Sequence, residues 1–233
     1  MVVITVASRN SGSGKSTLTA HLSTYAYRAA RRCLLIDADP QGTLTRWHGL
    51  QRKGKPLLRN AADGIDNLVK AAADAGIEWI FVDTPAKASQ TALDAIRAAT
   101  LVVIPARPST LQLGSMRETI TSCREWQRRF AVVLNDAPPH RDSAEAPVTA
   151  TARECLGQLK IPVWSGQITR DPSLSLSETV GWGDYDPQSR AAGEFVRLLS
   201  AVEHFVEAIQ GRRVSTVNMA DLIEASLISQ PVD

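Results

Sequence analysis

Three cysteines in 233 residues, at positions 33, 123 and 155 and each in apolar or helical surroundings, are too few and too scattered for a disulfide framework or paired zinc-ligand spacing. Buried free thiols in a reducing compartment follow. No apolar run approaches the roughly 18 residues that a membrane-spanning helix needs, and the N-terminus enters a β-branched stretch without the basic-then-apolar order of a secretory leader. A cytoplasmic protein with no membrane contact is expected. Internal repeats and low-complexity tracts are lacking too. Lys and Arg number 26 against 24 Asp and Glu, a net charge of +2. That surplus leaves room for a local basic patch but is too small to imply nucleic-acid binding. With 44% hydrophobic and 21% charged residues, the chain can bury one full α/β core. The expected organisation is one domain over residues 1–210 and a tail over 211–233, with a short amphipathic helix from Val217 to Ile228.

What is present is concentrated at the start. The apolar run Val2 to Val6 is followed by Ala7-Ser-Arg-Asn-Ser-Gly-Ser-Gly-Lys-Ser-Thr17 and then by a helix-like pattern from Leu18 to Ala30. This is strand, loop, helix. Gly12 and Gly14 lack a Cβ, so the backbone over Asn10, Ser11, Gly12, Ser13 and Gly14 can curl its N–H groups around one anion. The N-terminus of the next helix, at Lys15, Ser16 and Thr17, adds its positive dipole end. In such a loop Lys15 reaches the β- and γ-phosphates of a nucleotide and the Ser16 hydroxyl ligates Mg²⁺. The general phosphate-loop pattern has a further glycine where this chain has Arg9.

Four more strands read from continuous apolar runs, the signature of a parallel sheet buried on both faces. They are Cys33 to Asp37, Glu78 to Asp83, Thr100 to Pro105 and Phe130 to Asn135, with a short strand near Ile161 to Trp164. Each of the first two ends in acid. Of Asp37 and Asp39, one carboxylate can orient the attacking water of phosphoryl transfer and the other can support Mg²⁺. Asp83 stands where a carboxylate holds Mg²⁺ through water, and Thr84-Pro85-Ala86 leaves the sheet as a candidate switch sensing the γ-phosphate. The Asn135 amide can donate to and accept from a purine base. Ser109 is expected to cap a helix running through Leu113 to about Arg128, Gln167 to Ser173 is expected to be a loop leading into a helix ending near Val180, and Ser189 to cap a last helix over Ala191 to Ile209. The fold class is therefore α/β, a mostly parallel twisted sheet with helices on both faces and the ligand across the carboxyl ends of the strands.

The elements Gly12 to Thr17, Leu34-Leu-Ile-Asp-Ala-Asp-Pro-Gln-Gly42, Phe81 to Pro85, Leu101-Val-Val-Ile-Pro-Ala-Arg-Pro-Ser109, Val133 to Asn135 and Asp184 to Ala192 resemble the ParA/MinD family of P-loop ATPases, specifically small ParA partition proteins. The likeness runs over about residues 1–210. It implies ATP and Mg²⁺ as cofactors, with Lys15 on the phosphates, Ser16 on the metal, Asp39 placing the water, Asp83 near the metal and Asn135 near adenine. It further implies an ATP-bound homodimer on nucleoid DNA, bound without sequence preference, and a ParB-like or cargo adaptor protein that stimulates hydrolysis. Family members that repress their own operons carry an N-terminal helix-turn-helix extension, so no repressor activity is expected here.

One departure from the family pattern bears on rate. The family loop reads Lys-Gly-Gly-x-Gly-Lys, and its first lysine crosses the dimer to the partner's nucleotide. This chain has Asn10 at that place, with Arg9 beside it. A missing cation of that kind costs roughly 10³ in rate where an arginine finger is the model. Plasmid or chromosome partition is the leading function, set against positioning of a non-DNA cargo and against a nucleotide-dependent switch with very slow hydrolysis. A small-molecule kinase or amidating synthetase would need an acceptor pocket with its own polar constellation, and none is legible in the sequence. Arg190, Arg197, Arg212 and Arg213 are the candidate DNA contacts.

Overall fold

The computed structural model describes residues 1–51, 55–142, 144–174 and 190–211. The Arg212 and Arg213 contacts, the Ser189 cap, the helix to Val180 and the tail helix therefore lie outside the described residues. Seven strands form one sheet: β1 (Val2–Val6), β2 (Cys33–Asp37), β3 (Leu57–Asn60), β4 (Trp79–Asp83), β5 (Leu101–Ala106), β6 (Arg129–Ala137) and β7 (Val163–Thr169). Their order is β3-β2-β4-β1-β5-β6-β7, and every neighbouring pair is parallel. All the carboxyl ends thus open on one edge, with β1 in the centre.

The five long apolar runs are strands as their composition requires. The other two differ from expectation. β3 is an edge strand, mostly exposed and paired only with β2, so it carries no apolar run. β7 extends through Gln167 and Thr169, which the sequence places in a loop; both are buried, and Gln167 donates to the Pro138 carbonyl at 2.9 Å and to Thr169 Oγ1 at 3.0 Å. Most buried polar groups in proteins are satisfied in this way.

The helices are α1 (Lys15–Arg28), α2 (Thr43–Leu50), α3 (Ile65–Asp74), α4 (Gln90–Ala98), α5 (Leu113–Glu125), α6 (Pro147–Gln158) and α7 (Arg190–Gly211). Ser109 sits in a 3-10 turn, and Gln112 rather than Ser109 precedes the first turn of α5. Pro108 at the start of that turn sets its φ and diverts the chain before α5 can begin. Alternation along each strand sends Ile4, Leu35, Phe81 and Val103 to the face covered by α1, α2 and α7, and Val3, Ile36, Ile80, Val82 and Val102 to the face covered by α3 to α6.

α1 is buried from Leu18 to Ala26 because α7 closes over it. Its polar residues bond back to the helix, Thr19 and Thr24 donating to the Lys15 and Ala20 carbonyls at 2.8 and 2.9 Å. Phe195 of α7 is fully buried and stacks on His21 of α1 at 4.5 Å between centroids. Phe195→Ala is expected to lower the unfolding free energy by about 3–5 kcal/mol, read from urea denaturation. A loss below about 1 kcal/mol would mean that α7 does not depend on this contact.

Candidate functional site

The site begins with a helix that lacks a cap. Gly14, in the left-handed region at φ 93°, precedes α1, no side chain caps the helix, and its first turn carries no acid. The N–H groups at that end are thus left for an external anion. Gly12 is also left-handed, at φ 71°, so two of the loop's residues adopt the conformation glycine favours. Asn10 donates its N–H to Ser8 Oγ at 3.2 Å, and its carbonyl accepts from Lys15 Nζ at 3.2 Å. Ser11 and Gly12 are exposed, whereas the Ser13 side chain is buried and its hydroxyl has no partner among the described residues.

The acids arrive from the neighbouring strands. Asp83 ends β4 beside β1, fully buried, and Ser16 Oγ donates to its Oδ2 at 2.6 Å. Its other oxygen has no hydrogen-bond partner among the described residues. Burial pushes the Asp83 carboxyl up to about 7, and the like charges of Asp37 and Asp39 add to this, while Ser16 and Lys15 oppose it. Burial likewise lowers the Lys15 ammonium, against the attraction of Asp83 and Asp39. Lys15, Ser16, Asp39 and Asp83 therefore share one electrostatic neighbourhood. An orphaned carboxylate oxygen beside a serine hydroxyl is an all-oxygen donor set, which fits Mg²⁺ or a water bound to it.

Asp37 and Asp39 are held differently. Asp37 Oδ2 accepts from Thr45 N at 2.8 Å and Thr45 Oγ1 at 2.6 Å, and Oδ1 accepts from Asp39 N at 3.2 Å. Gly42 at the start of α2 has no side chain to cap it, so Asp37 caps α2 from the end of β2. Asp39 is half-buried; its Oδ1 accepts from Gln41 N at 2.9 Å, and no hydrogen bond to Oδ2 is found among the described residues. A cavity of about 520 Å³ lies beside both carboxylates. Thr84 donates to the Val6 carbonyl at 2.9 Å, which ties the start of the candidate switch to β1.

A second cavity, of about 270 Å³, lies beside Gly14 and Thr17 and is lined by Asn135. The Asn135 amide donates from Nδ2 to the Ser13 carbonyl at 2.8 Å, so one of its two hydrogens is spent on the loop and Oδ1 remains an acceptor. Arg107, Asp136 and Arg170 also line this cavity, and sequence reasoning missed them as site residues. The usable signal was position, since each lies at the carboxyl end of β5, β6 or β7. Arg9 sits beside Glu118 of α5 in a loose ion pair at 3.9 Å. Among the described residues no group of three or more His, Cys, Asp or Glu is arranged to hold a metal alone, and no helix is long and apolar enough to cross a membrane.

Two buried groups of opposite sign contribute to stability in the acid range. Asp83, raised, gives stability that is full below about 4 and lost as pH rises through about 7. His21, pushed down to about 3 by burial, gives stability present above about 6.5 and lost as pH falls. The two oppose each other across pH 4.5–6.5. Asp83→Asn is expected to make stability rise more steeply with pH in that window, by about 1.4 kcal/mol per pH unit. Urea unfolding at three pH values measures this, and an unchanged slope refutes the assignment to Asp83.

Residues 4–181 match the family model described as the CobQ/CobB/MinD/ParA nucleotide binding domain. Over 121 residues the chain is 34% identical to maintenance of carboxysome distribution protein A of Gloeobacter kilaueensis, covering 51% of this chain and 55% of that protein. Over 152 residues it is 27% identical to the chromosome-partitioning ATPase Soj of Thermus thermophilus, covering 52% of this chain and 61% of the relative. The chain thus spans between half and two thirds of the length of these curated relatives. In fold it is similar to cobyrinic acid a,c-diamide synthase of Mycobacterium smegmatis with bound ATP analogue and magnesium, at TM-score 0.71 and 17% identity over 93% of this chain and 99% of the other.

Proposed function

The chain belongs to the CobQ/CobB/MinD/ParA nucleotide-binding family, and from that premise we propose that it is a partition or positioning ATPase which pairs on binding ATP. The observation that carries this is the meeting of Lys15, Ser16, Asp39 and Asp83 at the uncapped start of α1, with Ser16 Oγ 2.6 Å from Asp83. Loop N–H groups and Lys15 hold the phosphates, and Ser16 and Asp83 hold Mg²⁺, which compensates charge on the phosphates when bound. Asp39 orients the water, and Asp37 fixes Asp39 through its backbone N–H. Asn135 serves the base end.

In this reading the ATP-bound pair binds nucleoid DNA without sequence preference and a ParB-like or cargo adaptor releases it. Arg190 and Arg197, both exposed and on one side of α7, support a phosphate-contacting surface. The test is retention on DNA-cellulose. ATP-loaded protein is expected to bind, with affinity falling steeply as salt rises, and Lys15→Ala is expected not to bind. Equal retention of the two proteins removes DNA partition and leaves a non-DNA cargo, the role in the name of the carboxysome-distribution relative.

A second reading, a nucleotide switch with very slow turnover, is favoured by Asn10 in place of a cation and by the Glu118 carboxylate beside Arg9. Asn10→Lys is expected to raise ATP turnover by at least about tenfold over wild type, in assays with and without DNA. No increase would mean that position 10 does not limit the rate.

A further inference from the structure

We infer that Arg107, Asp136 and Arg170 form a base-selecting rim on the cavity beside Gly14, one that admits adenine and turns away guanine by keeping the Asp136 carboxylate occupied. The inference rests on reading that cavity as the base end of the nucleotide site. Arg107 and Arg170 directly follow β5 and β7, and Asp136 is the last residue but one of β6 between them, so the carboxyl edge brings the three together. Arg170 Nε meets Asp136 Oδ1 at 2.9 Å, and Arg170 Nη2 and Arg107 Nε each meet Oδ2 at 3.3 Å. Arg170 therefore bonds both carboxylate oxygens, while Arg107 Nε, which makes no hydrogen bond among the described residues, adds its charge beside Oδ2. Asp136 itself sits at φ 55°, a left-handed conformation that Asp and Asn tolerate better than other side chains.

The consequence is a matter of donors and acceptors. Guanine presents N1–H and a 2-amino group side by side, two donors that a free carboxylate accepts together, while adenine presents its 6-amino donor where guanine has the O6 acceptor. With Asp136 engaged, guanine's paired donors meet a neutralised carboxylate. Asn135, one Nδ2 hydrogen bonded to the Ser13 carbonyl at 2.8 Å, offers Oδ1, which accepts from the amino group of adenine. Asp171 is the other carboxylate in the wall, and it interacts electrostatically with buried His21. The rim is thus a positioning device: the arginines act on the base through Asp136.

The test is competition of ADP and GDP against a ribose-labelled fluorescent ADP. In wild type, ADP is expected to bind and GDP to compete poorly. In Arg107→Ala/Arg170→Ala the ratio of the GDP to the ADP dissociation constant is expected to fall by at least about tenfold, chiefly through tighter GDP. Adding Asp136→Ala is expected to restore the wild-type ratio, which a purely structural role for the arginines would not do. Arg170→Gln, at a side chain 60% exposed, is expected to shift the ratio the same way by a smaller factor. An unchanged ratio in the double variant with ADP still bound overturns the inference, as does a relaxed ratio that persists when Asp136 is removed, or loss of ADP binding by a variant that melts like wild type. Wild type that binds neither nucleotide overturns the nucleotide reading itself, a different outcome from the others.

Discussion

Lys15→Ala is expected to lower ATP turnover by about 10²–10³-fold and to weaken ATP binding. The ammonium is buried, with Nζ 3.2 Å from the Asn10 carbonyl, and interacts with Asp83 and Asp39. In the proposed site it is the cation among carboxylates that must tolerate a polyphosphate nearby. Without it, the phosphates face Asp37, Asp39 and Asp83 with only backbone N–H groups and Mg²⁺ to compensate. The same substitution removes one of the two groups, with Ser16, that oppose the upward shift of Asp83, so the Asp83 carboxyl is expected to titrate higher still. Phosphate-release kinetics with calorimetric ATP titration measure the first effect. Wild-type turnover in Lys15→Ala would place the chemistry elsewhere in the molecule.

Gly14→Ala is expected to be the next most damaging change, because it acts on conformation and packing together. A side chain at φ 93° costs about 1–2 kcal/mol in backbone strain. The new Cβ would also collide with Asn135 Nδ2, and that amide, buried and bonded to the Ser13 carbonyl, can move only by giving up its bond, at about 1–3 kcal/mol. Together these predict at least about a tenfold loss of ADP affinity, since a change of 1.4 kcal/mol is tenfold. Asn135→Gly in the Gly14→Ala background is expected to recover the part due to the collision and leave the strain. A double-mutant cycle on ADP binding reads the difference directly. Strict additivity would mean that Asn135 and the loop do not bear on one another.

Much of this site is legible in the chain because parallel strands buried on both faces are spelled as unbroken apolar runs, and the residue that ends each run marks the sheet's carboxyl edge. Asp37, Asp83 and Asn135 are read that way, and Lys15 and Ser16 from the glycine loop before them. β3 escapes the same reading, since an exposed edge strand of four residues has no reason to be apolar. The second half of β7 escapes it as well. There Gln167 and Thr169 are buried polar residues, and Thr169 is matched by Glu194, which accepts from its N–H and its hydroxyl at 2.7 Å each. A polar run with distant partners looks like a loop until those partners are in view.

The sequence by itself determined the local pieces: a strand, a glycine turn and an uncapped helix at the N-terminus, and acids at the tips of apolar runs. These depend on propensity and spacing over a few residues, which neighbours along the chain set. Only the tertiary structure decided how each carboxylate is used. Asp37 caps α2 through Thr45, Asp83 keeps one oxygen unpartnered beside Ser16, and Asp136 is held between Arg107 and Arg170. The partners of Asp83 and Asp136 come from segments far apart in the chain: Ser16 opens the helix after β1, which pairs with β4, and Arg107 and Arg170 follow the strands on either side of β6.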